Sequence, residues 1–413
     1  MSALPGNISS MIRRLPDLDG KPFLVSCAQG PTLTDTTGRR YVDLAMSMGA
    51  TILGHAHPAV VEACIRALER GSMPGFSHEL EAAAADAMVK EAGQLTNATF
   101  LTTGSEAVHL ACRIARKTTG RGTIAKIAAG FDGWYDELAL GWTGSPEADL
   151  AGPRPIVNGM TLLRWNDVPD LETLFDETKD IAAVLIEPML ANAGSLMAEP
   201  GYLEAVGRIC RRHGAMVISD EVLMGLRLHP GPSCYQFGLC PDLVTLGKAI
   251  GSGVPVAAVL GTDQAFTAVS DGRVMRAGTY HGNPLVTSAV LATFHTLRTA
   301  DYAAFLRRGE DLAAGISAVF MQAGMTVSCS GVGSVFSLWF TDRPPTRYDQ
   351  AKRVVRADLS AELHLELRRH GVVTIPGPWG RVFTSFAHSE IDYSAVIDAY
   401  RLAAPKMARL LGR

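Results

Sequence analysis

The amino-acid sequence lacks the features that mark several classes of protein. Its seven cysteines are an odd number, scattered and without a CxxC pair, which argues against a disulfide framework and against a zinc site. It has no apolar run of the roughly 18 residues that a membrane span needs, and its N-terminus, MSALPGNISSMIRRLPDLDG, has no signal-peptide core. A net charge of −3 favours neither nucleic acid nor an anionic membrane as a partner. We therefore expect reduced thiols, no bound metal and a cytoplasmic location.

The length and composition predict a packed enzyme rather than a disordered chain. With 413 residues the chain is too long for one core of usual size, so one large and one small structural unit are expected. Hydrophobic residues make up 47% and charged residues 19%, a balance that supports well-buried cores.

Short strands and helices alternate through the middle of the chain. Runs such as AAVLIE, AMVISD and DLVTLG are apolar throughout, which is typical of parallel strands covered by helices on both faces. Beyond residue 310 the pattern changes to α+β, with one long helix predicted over Tyr348–Arg369. The fold class is therefore α/β, with a mainly parallel sheet between helices. Its predicted strands are Ala98–Thr102, Thr123–Ile127, Ala182–Ile186, Met216–Ser219 and Leu243–Leu246.

A lysine in VTLGKAIGSGVPV is the first candidate for chemistry. Lys248 follows an apolar strand within two residues, where a strongly hydrated ammonium is costly to place without a partner. An amine held next to an aldehyde forms an imine, provided that its pKa falls well below the free value. The surrounding glycines allow the backbone to approach a ligand closely. From this segment alone, a surface lysine after a strand is the alternative.

A second candidate is an aspartate at the end of the strand VISDEV. Asp220 is expected at the carboxyl edge of the same sheet, where ligands of open α/β sheets bind. A carboxylate there suits a protonated pyridine nitrogen and would keep the ring an electron sink. The alternative is a helix N-cap.

Three further segments offer weaker signals. TTGSEAVHLACRIAR places Gly104 and Ser105 at a helix N-terminus, which suits a phosphate dianion. In GFDGWYD, Phe131 between glycines can lie flat on a planar heterocycle, or it is a buried loop aromatic. In RAGTYHGNP, Thr279 lies in a polar loop that is able to donate to a phosphate, or in an ordinary turn.

Taken in order, these segments resemble the class III (fold-type I) pyridoxal-phosphate aminotransferases, and within them the glutamate-1-semialdehyde aminomutase branch. The resemblance runs from DTTGRRYVDL and LGHAHPAV to SFAHSEID and is most specific in IEPMLANAG, SDEVLMGLRL, PDLVTLGKAIGSGVPVAA and GTYHGNP. It implies an N-terminal arm with part of a small domain over residues 1–60. A large cofactor-binding domain is expected over 61–310 and the rest of the small domain over 311–413.

The resemblance also implies roles around pyridoxal 5'-phosphate. Lys248 would form the Schiff base and carry the proton, and Asp220 would pair with the pyridine nitrogen. Val222 and Phe131 would sandwich the ring; the family usually has tyrosine in place of Phe131.

Further family roles concern the phosphate and the ring edge. Gly104 and Ser105 would bind the phosphate from one subunit and Thr279 from its neighbour, which makes a homodimer the functional unit. Glu187 and Asn192 would lie beside the ring, Asn192 on the side of its hydroxyl; a structural carboxylate is the alternative for Glu187.

The departures from the branch concern the substrate. Where the branch has an arginine for the substrate carboxylate, this chain has Phe23, and where it has an aromatic residue, this chain has Met48. Together with Trp379, Phe23 and Met48 suggest an apolar substrate pocket. Trp134 would also reach the site, or is a packed loop residue. Arg381 would supply a carboxylate partner from the other side, as its bidentate fork allows, or is a surface charge on a strand edge.

The predicted activity is that of an aminotransferase. An amino donor would leave its nitrogen on the cofactor as pyridoxamine phosphate, and an oxo acceptor would take it up, with Lys248 as the single base. An intramolecular aminomutase or an epimerase would use the same residues, so the motifs do not separate the three reactions.

Overall fold

In a computed structural model, which describes residues 3–151, 154 and 156–412, a seven-stranded sheet forms the centre of the chain. All neighbouring strands are parallel except Ala257–Gly261, which runs antiparallel to both of its neighbours. The predicted α/β class with a mainly parallel sheet is therefore confirmed. Across the sheet the strands are Asn97–Leu101, Ala257–Gly261, Leu243–Leu246, Met216–Glu221, Ile181–Ile186, Thr123–Ile127 and Met160–Leu163.

Alternate side chains of the central strands enter two separate cores. In the strand Ile181–Ile186, Val184 and Ile186 face one layer of helices, whereas Ala183 and Leu185 face the other. This period of two explains why the strands read as unbroken apolar runs: both faces are buried. The layer beside Leu185 is formed by Gly104–Thr119 and Asp263–Ser270, and the opposite layer by Pro58–Glu69, Glu79–Val89, Val168–Glu177, Tyr202–His213 and Pro284–Leu297.

Smaller sheets join the two ends of the chain. Val25–Gln29, Thr32–Asp35 and Arg40–Asp43 form an antiparallel meander, and Val372–Val373 adds to it in parallel. A second sheet contains Ser328–Val332, Val335–Trp339 and Arg381–Phe383, and Met189–Leu190 pairs with Leu196–Met197. Both ends thus contribute to one sheet, as a small domain built from both termini requires. The boundaries at residues 60 and 310 stay a prediction; residues 1, 2 and 413 lie outside the described part.

The C-terminal helices differ from the sequence prediction in one place. The helix predicted over Tyr348–Arg369 is two helices, Tyr348–Val354 and Ala357–Arg369, with extended backbone at Val355. Two consecutive β-branched valines weaken the helix there. The Arg356 guanidinium binds the Asp358 carboxylate at 2.9 and 2.6 Å, which fixes the start of the second helix. The other helices of this region are Tyr302–Gln322 and Ser394–Leu410.

Short single turns complete the chain. They are of the 3-10 type at Pro5–Asn7, Met11–Arg13, Pro146–Asp149, Ala191–Ala193, Ser233–Phe237, Lys248–Gly251 and Phe386–Glu390, and left-handed at Met46–Gly49. Among the described residues, no helix combines the length and the apolar character needed to cross a membrane.

The packing of helix Tyr302–Gln322 predicts opposite effects for two glycine substitutions. A Cβ on Gly309 would lie 1.7 Å from the carbonyl oxygen of Gly333, a backbone atom that cannot move aside cheaply. Gly309→Ala should therefore destabilise the protein by about 1–3 kcal/mol. Gly207, inside helix Tyr202–His213, has nothing within 4 Å of its Cβ position, so Gly207→Ala should stabilise by about 1 kcal/mol. Scanning calorimetry of both variants checks the prediction, and an unchanged melting temperature for Gly309→Ala would contradict it.

Candidate active site

A cavity of about 300 Å³ lies where the parallel strands of the central sheet end. Successive strands run in the same direction, so the residues that follow them meet at one edge. Eight of the predicted site residues line this cavity: Gly104, Ser105, Phe131, Glu187, Asn192, Asp220, Val222 and Lys248. The structure thus brings together side chains that are up to 144 positions apart in the sequence, from Gly104 to Lys248.

Lys248 opens a single 3-10 turn directly after the strand Leu243–Leu246. Its φ of +43° lies in the left-handed region, which a residue with a side chain adopts only when its surroundings enforce it. Burial and the nearby Arg381 cation lower the pKa of the Lys248 amine to about 8, against the opposing influence of Asp220 and Glu187. A much larger fraction of the amine than in an ordinary lysine is therefore neutral near physiological pH, and this neutral form is able to act as a nucleophile or base.

Asp220 faces Lys248 from the neighbouring strand Met216–Glu221. Its Oδ1 accepts hydrogen bonds from the Val222 N–H and the Thr245 hydroxyl, each at 2.9 Å. Both bonds fall on Oδ1, which leaves Oδ2 for a ligand in the cavity. Burial, followed by the Asp132 carboxylate, raises the pKa of Asp220 to about 7. Asp220 lies within the strand and turns follow it, so the alternative reading of a helix N-cap is wrong.

The helix Gly104–Thr119 presents its N-terminus to the cavity. Thr103 caps it: the Thr103 hydroxyl accepts from the Glu106 N–H at 3.3 Å, and the Glu106 carboxylate accepts from the Thr103 N–H at 2.8 Å. This capping box satisfies the first turn without the Ser105 hydroxyl. Gly104 and Ser105 therefore keep backbone N–H groups at the positive end of the helix, which suits an anion.

Val222 shapes one wall of the cavity by close packing. A Cβ on Gly104 would lie 2.7 Å from the Val222 side chain, and one on Gly247 would lie 3.2 Å from it. Only glycine at position 104 leaves room for this valine. Phe131, which is 39% exposed, lies on the same cavity and is free to contact a planar ring.

Glu187, Asn192 and Arg381 meet on another side of the cavity. Arg381 Nη1 donates to Asn192 Oδ1 at 2.5 Å and to the Ala191 carbonyl at 3.4 Å. Burial lowers the pKa of Arg381 to about 10, although Glu187 opposes the shift. Arg381 is partly buried and bonded to a cavity residue, on a strand at the edge of the three-stranded sheet, and both readings of its role stay predictions. The strand Val335–Trp339 beside it carries no charge.

Glu187 is a buried carboxylate with an unused oxygen. Its Oε2 accepts weakly from the Ala191 N–H at 3.3 Å, while the buried Oε1 has no hydrogen-bond partner. Burial, with Asp132 and Asp220 as like charges, holds the pKa of Glu187 well above its ordinary range. An orphaned oxygen in a cavity is a group that a polar ligand would satisfy.

The other predicted residues do not line the cavity of the single chain, although Arg381 is bonded to Asn192, which does. Phe23 packs edge-on against Tyr41, with ring centroids 5.1 Å apart. Met48 is half-buried in the turn Met46–Gly49, and Trp134 is 72% exposed. Thr279 is exposed on a separate loop. The roles given to these four residues stay predictions.

Sequence reasoning missed an ion pair beneath Phe131. The Asp132 carboxylate lines the cavity and lies 2.8 Å from Nζ of Lys126, a fully buried lysine that also donates to the Leu138 carbonyl at 2.7 Å. The signals were present: an acidic residue next to Phe131, and a lysine inside the apolar strand TIAKI. A charge in a buried strand needs a partner. Asp132, in the segment GFDGWYD that follows the strand, is that partner.

The turn Met46–Gly49 forms a strained boundary near the cavity. All four of its residues have positive φ, from +42° to +89°. The left-handed conformation costs a residue with a side chain about 1–2 kcal/mol, so surrounding contacts must hold the turn. Ala50, which follows it, lines the cavity.

The described cavity fits the predicted cofactor. It offers a helix N-terminus for a phosphate, a free aspartate oxygen for a ring nitrogen, and an apolar wall at Val222. Lys248 supplies an amine with a lowered pKa. The close approach of Gly104 to Val222 forms a cradle that a side chain at 104 would fill.

Comparisons with known proteins show the family of the chain. A family model described as Aminotransferase class-III matches residues 17–384. Glutamate-1-semialdehyde 2,1-aminomutase of Sorangium cellulosum (strain So ce56) is 38% identical over 411 residues, which cover 97% of this chain and 93% of the relative.

Solved structures share the fold. An omega-transaminase from Sphaerobacter thermophilus superposes with a TM-score of 0.87 at 28% identity, covering 98% of this chain and 95% of its own. A transaminase with PLP bound gives 0.86 at 26% identity, covering 99% and 96%. The cofactor of this chain is pyridoxal 5'-phosphate. With a family match that spans most of its length and a fold shared with a PLP-bound transaminase, the chain belongs to the class III, fold-type I pyridoxal-phosphate aminotransferase family.

Proposed function

We propose that the protein is an aminotransferase that moves an amino group from a small-molecule amino donor to an oxo acceptor, with Lys248 as cofactor-binding and catalytic residue. The observation that carries the proposal is the position of Lys248, whose amine has a pKa lowered to about 8 and faces Asp220 across the cavity. The function requires a covalent anchor and a base in one group, and a lysine with a lowered pKa supplies both.

The remaining residues would bind and orient the cofactor. When bound, pyridoxal phosphate supplies an electron-poor ring that stabilises negative charge on the substrate carbon. Asp220 Oδ2 would pair with the ring nitrogen, and the N–H groups of Gly104 and Ser105 would hold the phosphate. Val222 and Phe131 would contact the two ring faces.

Glu187 and Asn192 would lie at the edge of the cofactor ring. The unpartnered Glu187 Oε1 and the Asn192 amide are the polar groups on that side of the cavity. Lys248 would accept a proton from the substrate carbon and return it to the cofactor. One group in one position serves both transfers, which is why no second base is needed.

An intramolecular aminomutase is the second candidate, and the relatives favour it. The Sorangium cellulosum relative at 38% identity is named as a glutamate-1-semialdehyde aminomutase. The transferase proposal rests instead on the substrate side, where Phe23 replaces the expected arginine and Arg381 brings a cation to the edge of the cavity. Solved structures with the same fold at 26–28% identity are named as transaminases.

A homodimer in the cytoplasm is part of the proposal. Thr279 is exposed on a loop whose apolar neighbours Met275 and Tyr280 are 69% and 65% exposed, as expected of a surface that a second copy covers. Across that interface Thr279 would reach the phosphate in the partner subunit. Sedimentation equilibrium that shows only monomer would refute the dimer.

The cytoplasmic location is supported by the cysteines. All seven are free, which suits a reducing compartment.

A donor-only incubation separates transfer from rearrangement. Mixed with an amino donor and no acceptor, the cofactor-bound enzyme should release one equivalent of oxo product and lose the visible absorbance of the lysine-bound cofactor. Absorbance spectroscopy and product quantification check this, with Lys248→Ala as the inactive control. A rearranged product with the cofactor form unchanged would establish the aminomutase instead.

The lowered pKa of Lys248 predicts the pH dependence of cofactor attachment. Only the neutral amine attacks the aldehyde, so the attachment rate of the cofactor-free protein should rise with pH and level off above about 8. At pH 7 about one in ten Lys248 amines is neutral, against about one in three thousand at the ordinary pKa of 10.5. Stopped-flow absorbance across this pH range measures the rate.

Two lysine variants control the attachment measurement. Lys248→Ala should show no attachment, whereas Lys352→Ala should behave as wild type, because Lys352 is an exposed partner of Asp149. A rate that keeps rising up to pH 10, or attachment in Lys248→Ala, would contradict the assignment.

Arg381 is predicted to bind a substrate carboxylate. Its two hydrogen bonds both leave from Nη1, so Nε and Nη2 remain available as donors. Arg381→Ala should lower kcat/KM for carboxylate-bearing donors about 10- to 100-fold, the equivalent of one charged hydrogen bond of about 1.5–3 kcal/mol. It should leave amines of the same skeleton without the carboxylate nearly unchanged. Arg353→Ala, which removes an exposed arginine, is the matched control. An equal fall for both substrate types would show that Arg381 is no carboxylate clamp.

A further inference from the structure

Arg227 is a buried cation without a carboxylate partner among the described residues. Its side chain is fully buried, and its guanidinium binds only main-chain carbonyls. Burial lowers the pKa of Arg227 to about 10. Burying an arginine without an opposite charge is unfavourable, because nothing offsets the desolvation of its guanidinium. Such a residue therefore suggests a structural or functional role.

The carbonyls that Arg227 binds belong to two segments from opposite ends of the chain. Nη1 donates to the Thr384 carbonyl at 2.9 Å, and Nη2 donates to the Gly49 carbonyl. The guanidinium also lies 5.5 Å from the centre of the Phe383 ring. Thr384 follows the strand that begins with Arg381, and Gly49 ends the strained turn Met46–Gly49. Arg227 therefore ties the turn to the strand that carries the proposed carboxylate partner.

The backbone of Arg227 is itself fixed to the cofactor side of the cavity. The Arg227 N–H donates to the Met224 carbonyl at 3.1 Å, and the hydroxyl of Ser334 donates to the Arg227 carbonyl at 3.4 Å. Val222 and Leu223, just before it, line the cavity. The contacts of Arg227 thus connect the segment that follows Asp220 with the opposite wall of the cavity.

The packing around Gly49 leaves no free space between the turn and the Arg227 side chain. A Cβ on Gly49 would lie 2.9 Å from Arg227 Nη2 and 3.0 Å from the Phe383 ring. Gly49 has a φ of +89°, which favours glycine in its own right. At its other end the turn is held by Asp43, whose Oδ1 accepts from the N–H groups of Ala45 and Met46 at 2.8 and 3.0 Å. The left-handed turn is therefore anchored at both ends, by a carboxylate before it and a guanidinium after it.

We propose that Arg227 is a positioning residue that fixes the substrate-side wall of the cavity, by clamping the left-handed turn Met46–Gly49 to the strand that carries Arg381. The assignment of this wall to the substrate rests on the proposed function. The clamp itself rests on contacts within the chain. Arg227 does not touch the reacting atoms, and its effect is to hold Ala50 and Arg381 at a fixed separation across the cavity.

Hydrogen–deuterium exchange of the cofactor-bound enzyme tests the clamp. In Arg227→Lys the cation is kept, but a single ammonium cannot bridge two carbonyls as the guanidinium fork does. Exchange in the segment 44–53 should then rise about tenfold relative to wild type, because the strained turn opens locally. Arg227→Met, which also removes the charge, should show at least the same rise. If Arg227→Met does not fold, the exchange measured for Arg227→Lys still tests the proposed role of Arg227.

A half-buried arginine that also binds main-chain carbonyls provides the control. Arg308 donates to the carbonyls of His388 and Ile391, each at 2.7 Å, and lies over the Tyr393 ring at 5.0 Å. It makes the same kinds of contact, yet none of these partners lines the cavity. Arg308→Met should leave exchange in segment 44–53 as in wild type.

Steady-state kinetics add a readout that general destabilisation does not move. A loosened wall weakens substrate positioning, so KM for the amino donor should rise about tenfold in Arg227→Lys with a smaller change in kcat. Arg308→Met should change neither. Unchanged exchange in segment 44–53 of folded Arg227 variants, or a rise that Arg308→Met reproduces, would overturn the proposal. If wild type transfers no amino group, the proposed function fails while the exchange result still decides on the clamp.

Discussion

Charge burial at the carboxyl edge of the central sheet is the constraint on which the site depends. The carboxylates of Asp132, Glu187 and Asp220 line one cavity, and burial and the Asp132 carboxylate raise the pKa values of Glu187 and Asp220. Such a cluster is unfavourable unless cations and hydrogen bonds compensate it. Lys126 neutralises Asp132 directly at 2.8 Å, which leaves Lys248 free of a fixed partner. A lysine that is attracted by carboxylates but bound to none of them keeps its amine available for chemistry.

The cofactor side of the site could be predicted from the sequence because it is built from strand ends. Lys248 and Asp220 directly follow or close apolar runs, and parallel strands bring their carboxyl ends to one edge. The sequence shows the two charges of Lys126 and Asp132 but not their pairing, because the pairing depends on how the loop after one strand folds back onto that strand. The antiparallel strand Ala257–Gly261 was missed for a related reason: only five residues long, it follows a glycine-rich stretch with no signal of direction.

The substrate side could not be predicted in the same way, because it is assembled from both ends of the chain. The turn Met46–Gly49 is left-handed at every residue, although only Gly49 has a local preference for that conformation. Its stability comes from contacts such as the one with Arg227, which is 178 positions away. Long-range contacts of this kind fix the wall opposite the cofactor, and their geometry appears only in the folded chain.

This division of the site explains why family membership leaves the reaction open. A transferase and a mutase need the same anchor, the same ring partner and the same phosphate cradle, and all of these lie on the strand ends. What distinguishes the two reactions is whether the intermediate leaves the cavity or is kept until the nitrogen returns to a neighbouring carbon. Under the proposed function, retention would depend on the opposite wall, where Arg381 is bonded to Asn192 and Arg227 donates to the Gly49 carbonyl. We therefore expect residues on that wall, rather than Lys248 or Asp220, to decide between an exchangeable and a retained intermediate.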